Sequence, residues 1–339
     1  MPTLPVMMGL MDPLYNLFGW ILRNMYAWLE NYGIVIIVFT IFLNVILIPF
    51  GIKSQKGMLK QQGLQDEINE IKRMYPDDQQ MQQQLQSELF KKNGVSLTSG
   101  CLPSILRLVL ILPVFRIFQM PLHYIGGVST ENIAAIGEYL TNNNLVSEAA
   151  QKLIVRSDIP IISILQSNSS ALGDVVEKGY LKLDQLIDLD FFGLNLGMTP
   201  SWRPADVFGD NWRIYLPLLI LPVLTIIAMI IQMILTRKVS QAKEIDKAEI
   251  ERAKQNPAKA DQAQQDQANP GMMKGMNVFM IVIMIWTIFA LPSAMGVYWV
   301  VNSFMAILQS LFIYYFYTKP FRLALEENNE SYNKRRSVR

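Results

Sequence analysis

Two arginines, Arg107 and Arg116, stand inside "GCLPSILRLVLILPVFRIFQMPL" (100–122), a stretch otherwise apolar enough to lie in a lipid bilayer. A guanidinium stays charged in proteins, so within hydrocarbon it must find water, a headgroup or an anion; what it offers chemically is attraction for carboxylates. Thr40, Asn44, Gln232, Asn302 and Gln309 are further polar side chains set in apolar runs. Taken singly such groups serve as hydrogen-bonding glue between helices, whereas these five together with the charge of Arg107 suit a wet cavity. Little other chemistry is available. The one cysteine, Cys101, excludes an internal disulfide framework or a multi-cysteine metal site, and the one histidine, His123, excludes a histidine pair and falls at a span end. No nucleotide-binding loop, metal constellation or nucleophile–base pair is present, so the chain is not expected to be an enzyme and no cofactor is expected.

These side chains must be carried by membrane-spanning elements. Of the 339 residues 51% are hydrophobic and 17% charged, against about 25% charged in ordinary soluble domains. Five apolar runs come near the ~20 residues needed to cross hydrocarbon: 31–52, 101–120, 214–235, 275–292 and 294–317. The last two meet at Pro292 and should form a helical hairpin. Prolines within the runs are tolerable because neighbouring helices satisfy the freed backbone groups. Segments 53–100, 236–274 and 318–339 hold 21 Lys and Arg, while Arg23 and segment 121–213 hold seven. The positive-inside rule then sets the N-terminus outside and the C-terminus in the cytoplasm.

Between the spans, residues 1–30 carry Leu14, Leu17, Phe18, Ile21, Leu22, Met25, Trp28 and Leu29 at helical spacing. Asp12 reads as a cap and Pro13 as the first helical residue of an amphipathic helix on the outer surface. No signal peptide is expected, for want of a basic stretch followed by an apolar core and a small-residue cleavage site. Residues 53–100 hold Ile68, Ile71 and Met74, a "YPDD" break, then Met81, Leu85 and Leu89, a cytoplasmic helical hairpin with a thin seam. Segment 121–213 is a long extracytoplasmic loop in which "STENIAAIGEYL" and "SEAAQKLIV" read as capped helices; it is either a docking surface or, by preference, a loop extension. Segment 236–274 starts helical and decays into a Gln/Ala/Pro linker, and 318–339 is a basic cytoplasmic tail.

"FKKNGVSLTSGCLP", "ILPVLTIIAMIIQ" and "MNVFMIVIMIWTIFALPSAMGVYWVVNSFMAILQ", in that order, resemble the YidC family of membrane protein insertases, with its Oxa and Alb relatives. The likeness covers all five expected spans, and the short chain ahead of residue 32 resembles the compact type that lacks a large extracytoplasmic domain. It implies an all-α integral membrane protein of a bacterial plasma membrane. Five helices would surround a hydrophilic groove open to cytoplasm and lipid, which receives nascent membrane-protein clients and acts as insertase and chaperone. Membrane lipids are implied as partners and the ribosome and Sec translocon as candidate partners; no specific nucleic-acid recognition is expected. "FFGLNLGMTPS" resembles the short family element ahead of the third span.

The family pattern puts its groove arginine in the first span, at the position that here is Asn44 in "NVILIP". Arg107 would therefore supply the charge from the second span. At 1.5 Å per residue it lies roughly 9 Å beyond the cytoplasmic start of its helix, and Asn44 roughly 13 Å above Lys53. The expected groove residues are Thr40, Asn44, Arg107, Gln232, Tyr298, Trp299, Asn302 and Gln309, with client spans leaving sideways toward Tyr298 and Trp299; Arg116 is expected as an interfacial anchor. The rival reading is a small-solute transporter or channel, against which stands the lack of any internal repeat. The topology is directly testable. With Cys101 replaced by serine, single cysteines at positions 80 and 261 should resist an impermeant thiol reagent in intact cells and one at 168 should react; labelling of the first two would sink the N-out, five-span arrangement.

Overall fold

A computed structural model describes residues 4–76, 78–95, 102–146, 156–210, 212–240 and 282–320, together with positions 151, 154 and 323. In chain order the elements are α1 (Leu4–Leu29), α2 (Tyr32–Gly63), α3 (Gln65–Met74), α4 (Gln79–Lys92), α5 (Leu102–Gln119), α6 (Pro121–Tyr124), α7 (Thr130–Asn142), α8 (Ile159–Ser167) and α9 (Ser169–Glu177). A 3-10 turn at Leu183–Gln185 leads to the hairpin β1 (Asp190–Phe191) and β2 (Leu194–Asn195). Then come α10 (Pro204–Val207), α11 (Trp212–Leu218), α12 (Ile220–Ser240), α13 (282–290) and α14 (Ser293–Ile313), which ends in a π-helical turn at Tyr314–Thr318.

Three stretches among the described residues are long and apolar enough to cross a bilayer: Tyr32–Gly57, Trp212–Leu235 and Ser293–Thr318. They coincide with the first, third and fifth expected spans. The apolar helix Val109–Gln119 lies within the second, while 275–281 of the fourth, the linker from 241 and the tail from 324 fall outside the described residues. The third span is interrupted at Leu219. Pro222 has no N–H to return to Leu218, and the Leu219 N–H is shared between the carbonyls of Tyr215 and Leu216, 3.2 Å from each.

The chain divides into two compact units. The first comprises Met1–Leu43, Arg107–Ile227 and Ile285–Asn302. Its α1 does not start at the expected Asp12 cap: the helix begins at Leu4 and holds Pro13 inside it. An interior proline removes one donor without ending a helix whose other turns are packed, and Phe18 is packed edge-on against Phe39 at 5.4 Å. Phe18 and Leu22 are buried while Trp20 and Trp28 are exposed, so the apolar residues of α1 face two ways.

Segment 121–213 is more than connecting chain. Ser129 caps α7 by accepting the N–H of Asn132, and Asn168 caps α9 by accepting that of Ala171. Ile136, Leu140, Ile161, Ile162, Leu165 and Val175 are fully buried, so the segment carries buried apolar residues on three of its helices. The second expected helix there, 147–155, lies outside the described residues apart from positions 151 and 154.

A ribbon at 188–198 ties this segment to the spans. Its two-residue turn has both Phe192 (φ 52°) and Gly193 (φ 79°) in the left-handed region, the geometry that lets a tight hairpin follow the twist of its strands. The Phe191 ring lies so close over Gly33, in the first turn of α2, that a Cβ there would meet it at 2.2 Å. Asn31 Nδ2 donates to the Asp190 carbonyl at 3.4 Å, and β2 lies beside α11. The carbonyls of Leu196 and Met198 accept the N–H groups of Ala294 and Ser293 at 2.9 and 2.8 Å, two of the donors a helix leaves without an internal partner at its start. One ribbon thus touches the N-terminal ends of three candidate spans.

The second unit comprises Asn44–Leu106, Ala228–Met284 and Ser303–Arg339. In it α3 and α4 pack around Ile68, Phe90 and Val95, flanked by Leu64 and Leu89, with Asp78 capping α4 through the Met81 N–H. Ile71 is buried as the periodicity predicts, but Met74 is exposed and Met81 and Leu85 are only half-buried, so the seam closes at the Phe90 end and stays open near the turn.

Asp158, at the start of α8 in the first unit, is 0% exposed. Its Oδ2 accepts the His123 N–H at 2.9 Å, its own N–H donates to the Gln119 carbonyl at 3.2 Å, and Ser157 Oγ donates to the same carbonyl at 2.7 Å. Oδ1 has no partner among the described residues. Burial pushes the carboxyl from 3.8 up to about 7, against the opposing pull of the His123 and Leu122 backbone N–H groups and the Arg116 charge. A raised carboxyl binds its proton more tightly folded than unfolded, so its contribution is fully present below pH 3.8 and is lost as the pH rises through about 7. At about 1.4 kcal/mol per unit, the loss is on the order of 4 kcal/mol. Asp158→Asn, which mimics the neutral acid, should therefore raise the thermal midpoint in detergent at pH 8, with the gain shrinking toward zero at pH 4. A difference independent of pH would show that the carboxyl does not carry this coupling.

Candidate functional site

α2 forms across the whole first span because its β-branched and aromatic residues pack rather than fray, and it carries on through Pro49 into the polar residues beyond 52. Thr40 and Asn44, four residues apart, share one helix face. Both are buried, at 0% and 6% exposure, and the Thr40 hydroxyl donates to the Ile36 carbonyl at 2.6 Å. A hydroxyl turned back on its own helix costs little in hydrocarbon.

The eight expected residues do not all fall in one unit. Thr40, Arg107, Tyr298, Trp299 and Asn302 belong to the first; Asn44, Gln232 and Gln309 belong to the second. Arg107 is on α5, and its side chain lies outside the described residues. Gln232 and Asn302 are half-buried on α12 and α14. Tyr298 and Trp299 are buried, not presented at a surface. The Tyr298 ring stands edge-on to Phe118 at 6.2 Å, and Phe118 in turn to Tyr32 at 6.4 Å, while the Tyr32 hydroxyl donates to the Phe118 carbonyl at 3.2 Å. Arg116 donates to the Arg156 carbonyl at 3.1 Å, so this arginine is tied to the protein rather than reaching freely to headgroups.

Within the second unit the C-terminal part of α2 and the end of α14 meet. Gln309 lies flat over Gly51, where a Cβ would fall 1.9 Å from Nε2, and Lys56 Nζ sits 4.5 Å from the centre of the Tyr317 ring. Close approach of this kind requires the glycine. The same two stretches carry Ser54, Gln55 and Thr318, all buried. Gln55 Nε2 and Thr318 Oγ1 have no hydrogen-bond partner among the described residues. Leaving a buried donor unsatisfied costs about 1–3 kcal/mol, so this junction holds polar groups at some expense of stability.

Reading the sequence missed Gln55 and Thr318, because 53 onward was assigned to the cytoplasmic hairpin and 318 to the tail. The signal was the unbroken helical pattern past Lys53. Thr225 was missed as well; it is fully buried on α12 and donates to the Leu221 carbonyl at 2.8 Å. No group of acidic, histidine and cysteine side chains that could hold a metal ion occurs among the described residues.

The profile of the family described as "60Kd inner membrane protein" matches residues 24–320. The protein named "Membrane protein insertase YidC" from Leptospira interrogans serogroup Icterohaemorrhagiae serovar Lai (strain 56601) is 32% identical over 112 residues, 33% of this chain and 18% of that protein. The protein of the same name from Caldanaerobacter subterraneus subsp. tengcongensis is 32% identical over 101 residues, 30% of this chain and 49% of the relative. That from Fusobacterium nucleatum subsp. nucleatum is 32% identical over 113 residues, 32% of this chain and 55% of the relative. The chain thus spans about half the length, or less, of these curated relatives.

Proposed function

The chain belongs to the 60Kd inner membrane protein family, and from that premise we propose that it is a membrane protein insertase and chaperone working through a hydrophilic groove open to the cytoplasm and to lipid. The observation that carries the groove is the set of polar side chains buried or half-buried in the span stretches of the second unit: Asn44, Ser54, Gln55, Gln232 and Thr318. Lipid cannot supply partners for such groups. Water can, and so can the polar tail or loop of a client.

In this reading Thr40, Asn44, Arg107, Gln232, Asn302 and Gln309 contribute polar groups to the groove, and Tyr298 and Trp299 belong to it as aromatic residues. Replacing hydrocarbon by water and side chains lowers the cost of carrying a polar segment partway through the bilayer. Arg107 draws in acidic residues of the client, and an inside-negative potential adds about 2.3 kcal/mol per charge per 100 mV in favour of moving them outward. Client spans leave along exposed apolar residues of α2 such as Phe42, Val45 and Ile46, or of α14 such as Phe304 and Leu308. The small core of α3 and α4 suits a mobile cytoplasmic collector of nascent chains, with the ribosome and the Sec translocon as partners there. That one ribbon meets the N-terminal ends of the first, third and fifth spans supports their starting on the same side of the membrane, which the distribution of Lys and Arg makes the outer one.

A solute transporter would also accommodate an intramembrane arginine, but no observation favours it. Proteoliposomes separate the two readings, since client insertion without solute flux fits the insertase alone.

The sharpest test concerns the relocated charge. Arg107→Ala should impair clients with acidic outer tails more than matched neutral ones, and Asn44→Arg in that background should restore insertion, because a wet cavity responds to a cation on either wall. An arginine that merely reaches the headgroups predicts a nearly silent Arg107→Ala. In that case the second change adds an unneeded buried charge costing at least ~2.5–3.5 kcal/mol. Equal loss for both client types, or no rescue, would remove Arg107 from the mechanism.

A further inference from the structure

Beyond the groove, the first unit carries an exposed aromatic set that packing does not explain. Phe192 is 86% exposed, Phe208 81% and Trp202 69%, and Trp212 is exposed at the start of α11. In water each would be a liability, and four within a short stretch of chain exceed what a soluble surface scatters singly. Phe192 is the more telling because it occupies a left-handed position at the hairpin tip where Asn, Asp or Gly is usual. A bulky apolar side chain has been placed where the backbone least favours it and where it projects furthest.

The placement of these residues names what covers them. Phe191 seats the hairpin on Gly33 at the N-terminal end of α2, and β2 lies beside α11. Trp212 opens the candidate span Trp212–Leu235, whose next turns expose Ile214, Leu216 and Ile220. The aromatic set is therefore continuous with surfaces that face hydrocarbon. Each tryptophan is followed by an exposed arginine, Arg203 and Arg213, and the Arg213 guanidinium lies 5.6 Å from the Trp212 ring. Two of the nearby acids are engaged within the protein: Asp206 accepts from Ser201 Oγ at 2.6 Å and Asp190 from the Gly193 N–H at 3.3 Å. Asp210 is exposed. Aromatic rings beside cationic groups at the end of a span match the layer where acyl chains give way to phosphates.

We propose that residues 190–213 form a phospholipid-docking face: Phe192, Trp202, Phe208 and Trp212 enter the leaflet next to the N-terminal ends of the spans, Arg203 and Arg213 meet lipid phosphates, and the segment lies on the membrane instead of standing off it. The inference rests on the membrane-spanning reading of α2, α11–α12 and α14 and is independent of insertase activity.

The full chain is reconstituted in vesicles of phosphatidylcholine and phosphatidylglycerol, with and without lipid brominated near the top of its acyl chains, and challenged with aqueous iodide. One variant keeps Trp202 and replaces the other five tryptophans by phenylalanine; a second carries Phe192→Trp with all six native tryptophans replaced; a third keeps only Trp286, on α13. Bromolipid should lower the emission of the first two about two-fold, as expected of rings at headgroup depth, while iodide leaves them nearly unchanged. Quenching by iodide and not by bromolipid at positions 192 and 202 overturns the proposal, and so does resistance to both quenchers, which would place a second copy of the chain on this face. Trp286 separates the two readings: bromolipid quenching there with iodide quenching at 192 and 202 refutes the docking face alone, whereas no lipid quenching at any position refutes the spanning assignment. If the tryptophan variants fail to fold, a nitroxide attached through Phe192→Cys in a Cys101→Ser background gives the same decision, by relaxation with oxygen for lipid or with nickel for water.

Discussion

Backbone N–H groups at the start of a membrane helix must be met by something, and at α14 they are met by the carbonyls of Leu196 and Met198. That constraint organises the first unit. To hold those carbonyls in place the ribbon 188–198 must be rigid, and it is rigid because its hairpin closes in a two-residue turn and its Phe191 ring is seated on Gly33. The same seating fixes the hairpin against the first turn of α2, while β2 borders α11. The same segment, 121–213, carries its own buried apolar residues, among them Ile136, Leu140 and Leu165.

Much of the helical architecture was legible because a membrane helix advertises itself. The runs beginning at Tyr32, near Trp212 and at Ser293 follow from length and apolarity alone. The α3 and α4 pair follows from periodicity and the "YPDD" break between them. What the sequence hid was set by tertiary contact. Asp12 and Pro13 carry a helix-start signature, yet α1 runs from Leu4, because a proline costs one hydrogen bond and a packed helix can absorb it. Segment 121–213 reads as loop from its polarity, and its core is built from isoleucines and leucines drawn from separate short helices. Phe192 gives no turn signal at all, since its conformation is imposed by the hairpin.

The candidate site was legible in kind more than in position. Thr40 and Asn44 could be placed on one face by spacing, and both are buried. Tyr298 and Trp299 were expected beside a client path; both are buried, Tyr298 edge-on to Phe118, and hydropathy cannot distinguish such burial from lining a surface. Gln55 and Thr318 escaped notice because polar residues near a span end look like the beginning of a loop. Their burial appears only once Gly51 lets the Gln309 side chain lie against α2.

The ribbon also has a consequence for the order in which the protein can be made. Its hydrogen bond to Ser293 joins residues 95 apart in sequence, and its bond from Asn31 joins residues 159 apart. During synthesis the start of α2 waits for the hairpin to emerge, and the ribbon carbonyls then wait for the last span. Contacts of such separation close slowly and leave intermediates with exposed polar backbone. The final span thus acts as a keystone whose arrival completes the rim, and a chain halted before residue 293 would hold its earlier helices without that closure.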